Sequence, residues 1–106
     1  MKHIVIVAAK RTPFGRFRGA LAELSPVELA VVAGNAALAG IDCTLIGQVI
    51  LGNVLAAGHG MNVARQVAIK LGLPVETPAA TVNIETVREI THLDDRVAHL
   101  ISWELE

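Results

Sequence analysis

Hydrophobic positions change period several times along the chain, and the changes mark out its elements. Ile4 to Ala8 is an unbroken apolar run rich in β-branched side chains, the pattern of a parallel strand covered on both faces. A polar loop, Lys10 to Gly19, follows, and then Ser25-Pro26-Val27-Glu28. Ser25 can accept from first-turn N–H groups, Glu28 can reach back to the cap, and Pro26 sits where a missing N–H costs nothing. The pattern therefore predicts a helix from Pro26 to about Ala39 that stops at Gly40. Gln48 to Leu51 reads as a second strand, ended by Gly52-Asn53. Asn62 predicts the cap of a second helix through Leu71, closed by Gly72 and Pro74, and Pro78 precedes a third strand, Ala80 to Asn83. Strand, helix, strand, helix, strand implies right-handed crossovers and an α/β fold with a parallel sheet.

The pattern changes after Asn83. Residues 1–83 carry a net charge of +3 and residues 84–106 a net charge of -4. Ile84, Val87, Ile90, Leu93 and Val97 recur at three- and four-residue spacing, which predicts an amphipathic helix with Asn83 as its cap. The chain divides accordingly into an α/β part, residues 1–83, and an acidic, helical tail, residues 84–106. No internal repeat is present.

Composition narrows the function classes. A length of 106 residues suits one small domain, and 53% hydrophobic with 18% charged residues argues against disorder. A net charge of -1 leaves no global field to attract nucleic acid or an anionic membrane. The most apolar stretch, Leu29 to Ile41, is interrupted by Asn35 and ends at Asp42, short of the about 20 apolar residues that a bilayer helix needs. The apolar start resembles a signal peptide but stops at Lys10-Arg11. A single cysteine, Cys43, can form no internal disulfide, so a reducing, cytoplasmic location is expected.

Candidate chemistry is sparse. Gly58-His59-Gly60 is a G-x-G without the third glycine and does not open directly onto a helix, so it does not make a dinucleotide fingerprint. Lys10, Arg11, Arg16 and Arg18 form a basic loop that can bind phosphates, but a solvated loop anchored by Phe14 and Phe17 is the expectation. His92, Asp95 and His99 share one face of the expected tail helix. They are either a partial metal set or an exposed polar face, and the polar face is the expectation. Cys43 follows Asp42 with no basic neighbour and reads as an inert small hydrophobe. No metal and no cofactor are expected.

Longer strings carry a family resemblance. Val5-Ile6-Val7-Ala8-Ala9-Lys10-Arg11-Thr12-Pro13-Phe14-Gly15 resembles the opening of thiolases, the acetyl-CoA acyltransferases, as does Gly19-Ala20-Leu21 before the capped helix. More specific is Val49-Ile50-Leu51-Gly52-Asn53-Val54-Leu55-Ala56-Ala57-Gly58-His59-Gly60-Met61-Asn62-Val63-Ala64-Arg65-Gln66. It is similar to the family's strand, glycine loop and NPARQ segment, with Val63 where proline is usual. Leu73 to Asn83 continues the likeness, which covers residues 3–83 without a gap.

The resemblance implies a partial thiolase-type N-terminal half-domain, β-α-β-α-β followed by the tail helix, with the opening strand central and one of its edges open. In the family, a Cys-Gly-Ser-Gly turn follows the Val-Asn strand end after two residues, and its cysteine is the acylated nucleophile. Here Val82-Asn83 is followed by Ile84-Glu85-Thr86, so Thr86 stands at the cysteine position and Val87-Arg88-Glu89 replace the turn. The family's activating histidine, its second cysteine and its loop domain for coenzyme A have no counterpart in these 106 residues. Coenzyme A thioesters are the family's substrates. The expectation is a truncated or frame-disrupted segment that is inactive alone and prone to self-association. Two alternatives stand beside it: a short non-catalytic protein that pairs with itself or with a thiolase-like partner through its sheet edge, and a small module that binds coenzyme A or another phosphate ligand through the basic loop.

Overall fold

A computed structural model describes residues 3–83, and the expected tail helix with Thr86, His92, Asp95 and His99 lies outside the described residues. The first helix, α1, runs Pro26–Ala37. It begins where two reciprocal bonds fix the chain: the Glu28 N–H donates to Ser25 Oγ at 3.2 Å, and the Ser25 N–H donates to Glu28 Oε2 at 2.7 Å. These bonds hold the exposed Glu28 carboxyl below the usual glutamate range, chiefly through the Ser25 backbone N–H and then the Ser25 hydroxyl. The helix ends two residues before the expected Ala39, with Leu38 as its cap and Gly40 beyond it at φ +78°.

A 3₁₀ turn, Cys43–Leu45, follows, an element that hydrophobic periodicity did not show. Asp42 organises it by accepting from the Thr44 N–H and hydroxyl at 2.9 and 2.7 Å, and the same bonds lower the Asp42 pKa. Strand β1, Val49–Gly52, helix α2, Val63–Lys70, and strand β2, Ala79–Val82, then form a parallel crossover unit. The register pairs Val49 with Ala79, Ile50 with Ala80, Leu51 with Thr81 and Gly52 with Val82. An α/β architecture with a parallel sheet is thus present, and the predicted boundaries of β1, α2 and β2 hold to within one residue.

The core is small. Val27 from α1 packs with Val63 and Val67 from α2, and Leu51 and Leu71 lie against them. Helix α2 packs on both strands, and α1 packs on α2. Gly34 permits that helix contact: a Cβ there would meet Leu71 Cδ1 at 2.9 Å. The cluster of Val27, Val63 and Val67 lies on the side of the sheet toward which Leu51 and Thr81 point, and period-two alternation sends Ile50 to the other.

The first expected strand requires correction. Residues 3–10 form no helix or strand, and Ile4, Val5, Ile6 and Val7 are 68% to 76% exposed. The sheet formed by the described residues is two-stranded, β1 and β2 alone. A strand apolar on both faces needs a paired edge and a layer on each side. Here the helices cover a single face, so burying one side chain in two would still leave the others in water.

Helix α2 is tied to β2 by side chains. Thr81 Oγ1 accepts from the Ala64 N–H at 2.9 Å and donates to Asn62 Oδ1 at 2.8 Å. Asn62 Oδ1 also accepts from the Arg65 N–H at 3.3 Å, and Asn62 Nδ2 donates to the Ala79 carbonyl at 3.1 Å. Asn62 takes φ +36° to do so, in the left-handed region that asparagine tolerates better than most residues.

Two outcomes follow from these contacts. Ser25→Ala should lower stability by about 1 kcal/mol. Because folding depresses the Glu28 pKa, its contribution is complete above the ordinary glutamate value and is lost as pH falls through the folded one. Thermal melts followed by circular dichroism across the acid range should therefore converge for wild type and Glu28→Gln at low pH and separate near neutrality. Thr81→Val keeps the side-chain shape but strands the Ala64 N–H, and a loss of about 1–3 kcal/mol is expected in urea denaturation.

Candidate functional site

In open parallel sheets, ligands bind beyond the carboxyl ends of the strands, so this edge is the candidate site. It is built from Gly52-Asn53 at the end of β1, Val82-Asn83 at the end of β2, the loop 53–62 and the start of α2. The Asn53 N–H donates to the Val82 carbonyl at 2.8 Å and closes the ladder here. The Asn53 side-chain nitrogen is buried and has no hydrogen-bond acceptor among the described residues. A buried donor left unpaired is costly, so this edge holds an unfilled polar position.

The loop 53–62 is shaped by Gln66, whose Nε2 donates to the carbonyls of His59 at 2.7 Å and Met61 at 3.0 Å. Gly60 lies at φ +81°, and a Cβ there would stand 3.0 Å from that nitrogen. The glycines of Gly58-His59-Gly60 therefore serve a turn held by Gln66, in line with the absence of a dinucleotide fingerprint. Helix α2 is no open anion site either, because Asn62 and Thr81 oxygens already take the Arg65 and Ala64 N–H groups.

The other candidates lie elsewhere. Cys43, half-buried in the 3₁₀ turn, precedes β1 and so belongs to the amino-end side of the sheet. Ile46 joins the loop before β2 on that side, its carbonyl accepting from Thr77 Oγ1 at 3.4 Å. The strand itself spans roughly 10 Å at 3.3 Å per residue, so Cys43 is separated from the carboxyl edge by the length of the sheet. Lys10, Arg11, Arg16 and Arg18 are all exposed. The Arg11 guanidinium lies 4.9 Å from the centre of the Phe14 ring and that of Arg18 5.6 Å from Phe17. Phe14 and Phe17 are 86% and 91% exposed, so they do not anchor the loop as the sequence suggested; they are surface platforms for the arginines. Among the described residues no cluster of histidine, cysteine or carboxylate can hold a metal, and no helix is long and apolar enough to cross a membrane.

Asn53 and Thr81 were missed as individual residues by sequence reasoning, although one signal for Thr81 was there. A lone hydroxyl in the strand Ala79-Ala80-Thr81-Val82 marks a position where the sheet needs a hydrogen bond. Nothing in the sequence marks the Asn53 amide as buried.

Comparisons with known proteins agree with this geometry. The model of the family "Thiolase, N-terminal domain" matches residues 4–87. An acetyl-CoA acetyltransferase of Clostridioides difficile is 48% identical over 86 residues, which are 79% of this chain and 80% of that protein. A probable acetyl-CoA acetyltransferase of Escherichia coli is 52% identical over 85 residues, 78% of this chain but 22% of the relative. The chain thus spans most of the first relative and about a fifth of the length of the second. Among solved structures, a thiolase from Ascaris suum, Acat5, crystallised in complex with coenzyme A, matches with a TM-score of 0.73 and 32% identity over 86% of this chain and 25% of its own. By sequence and by fold, the chain belongs to the thiolase family, in the N-terminal domain.

Proposed function

We propose that this chain corresponds to the N-terminal segment of a thiolase-type acyltransferase and that, alone, it transfers no acyl group. The family's reaction is a Claisen condensation of two acyl-CoA molecules or its reverse, thiolysis of a 3-ketoacyl-CoA. Relatives named acetyl-CoA acetyltransferase and a related thiolase crystallised with coenzyme A support coenzyme A thioesters as the substrate class of the intact enzyme, with no cofactor beyond them. A cytoplasmic place in fatty-acid metabolism accords with this.

The observation that carries the inactivity is Thr86, which stands where the family's nucleophilic cysteine is expected. A threonine hydroxyl attacks a thioester only with a strong base beside it, whereas a cysteine is partly ionised near neutral pH. Glu85 and Glu89 add like charge against an anionic oxygen at that position. Cys43, the sole thiol, belongs to the opposite end of the sheet and does not replace it.

A second reading is favoured by one observation, the exposed apolar run Ile4–Val7, together with a sheet that among the described residues has only two strands. In that reading the chain is a non-catalytic protein that pairs with itself or with a thiolase-like partner.

The purified chain, given acetoacetyl-CoA and coenzyme A, is expected to produce acetyl-CoA no faster than a protein-free blank. Intact-mass measurement after incubation with acetyl-CoA should show no acetyl adduct. Turnover, or a stoichiometric acetyl group mapped to Thr86, would overturn the proposal.

A further inference from the structure

We propose that the basic loop Lys10–Arg18 is a docking surface for anionic lipid and holds this chain peripherally on a negatively charged bilayer. The whole-chain charge of -1 conceals this segment. Residues 1–22 carry Lys2, Lys10, Arg11, Arg16 and Arg18 and neither aspartate nor glutamate. Lys10, Arg11, Arg16 and Arg18 are exposed, and among the described residues none of them is in an ion pair. Arg11 Nη1 donates to the Thr12 carbonyl at 3.1 Å, a contact inside the loop. Beside these cations stand the exposed phenyl rings of Phe14 and Phe17. The two residues are three positions apart, so their Cα atoms are separated by at most about 11 Å.

The loop is shaped before any ligand arrives. Phe17 and Arg18 are the central residues of a turn closed by the Gly19 N–H, which donates to the Arg16 carbonyl at 2.9 Å. A Cβ at Gly19 would stand 2.9 Å from that carbonyl oxygen, so the turn needs glycine there. Gly15 packs on Leu21, whose Cδ1 would lie 3.1 Å from an added Cβ. Arg18 takes φ +56°, where a long side chain is strained, and its guanidinium finds no carboxylate, only the Phe17 ring. A phosphate ion or an acidic peptide would engage the cations and leave both phenyl rings in water. Single-stranded nucleic acid stacks on aromatic rings but is held in a basic groove, whereas Pro13 to Arg18 are all exposed at a turn. A bilayer surface takes up both kinds of group, rings at the boundary of headgroup and acyl chain and guanidiniums on the phosphates.

The test is flotation of the full chain with vesicles of phosphatidylcholine, with and without phosphatidylserine, because vesicles rise while aggregates sink. The chain should float with phosphatidylserine vesicles, stay behind with phosphatidylcholine alone, and be released at high salt. Phe17→Ala should weaken binding by roughly tenfold. Arg18→Gly should weaken it by roughly fivefold without lowering the thermal midpoint, because glycine accepts the positive φ. That pair of readouts separates lipid contact from a structural role. In a Trp103→Phe background, Phe17→Trp emission should shift to the blue on phosphatidylserine vesicles. Absence of flotation, equal binding to neutral vesicles, or binding that survives both Phe17→Ala and Arg18→Gly, as Ile4–Val7 alone would give, would each overturn the proposal. Release by inorganic phosphate at constant ionic strength, or tighter binding to a single-stranded oligonucleotide than to the vesicles, would do the same. None of these readouts depends on acyl transfer, so activity in the chain would leave the result standing.

Discussion

The Thr81 hydroxyl is the junction on which the described structure depends. It accepts from the first turn of α2 and donates to the residue that caps that helix, while Asn62 returns a bond to the backbone of β2. A parallel pair of strands is joined by a long crossover and has no hairpin to set its register. Side-chain bonds between the crossover helix and the second strand supply part of that registration here. With α2 fixed, Val63 and Val67 are delivered to Val27 and Leu51, and the small core closes. The same bonds occupy the helix N-terminus, which explains why a glycine-rich loop leading to a helix does not form an anion site in this chain.

Among the described residues, that core covers one face of a two-stranded sheet, and the limitation shapes the rest of what they form. Hydrophobic burial scales with area removed from water, and a sheet covered on one face offers half the area of a fully layered one. Ile50, on the uncovered side, is only half-buried, and Ile4–Val7 finds no place in the sheet. The segment has the composition of an interior strand and the exposure of a surface loop. Local preference and tertiary surroundings are in conflict at this segment.

Chemistry in this fold family is expected beyond the carboxyl ends of the strands, and the described residues bring no nucleophile there. Asn53, Gln66, Asn62 and Thr81 shape the edge; they hold backbone and loop rather than presenting a reactive group. The sole cysteine lies in the 3₁₀ turn that precedes β1, on the amino-end side of the sheet. The described residues at this edge thus supply shape and hydrogen bonds rather than a reactive group.

Local signals in the sequence determined the helix starts and the two paired strands. Ser25 with Glu28 and Asn62 before Val63 mark their helices because caps satisfy N–H groups within a few residues, a requirement indifferent to the rest of the chain. The family strings already pointed to the membership that the comparisons show. The fate of Ile4–Val7 was decided only by tertiary structure, since a strand is stable through partners that its own residues do not encode. The exposure of Phe14 and Phe17, the burial of the Asn53 amide and the remoteness of Cys43 were likewise settled only by the fold. Each depends on which surfaces the core leaves over, and burial is a property of the whole packing rather than of a residue type.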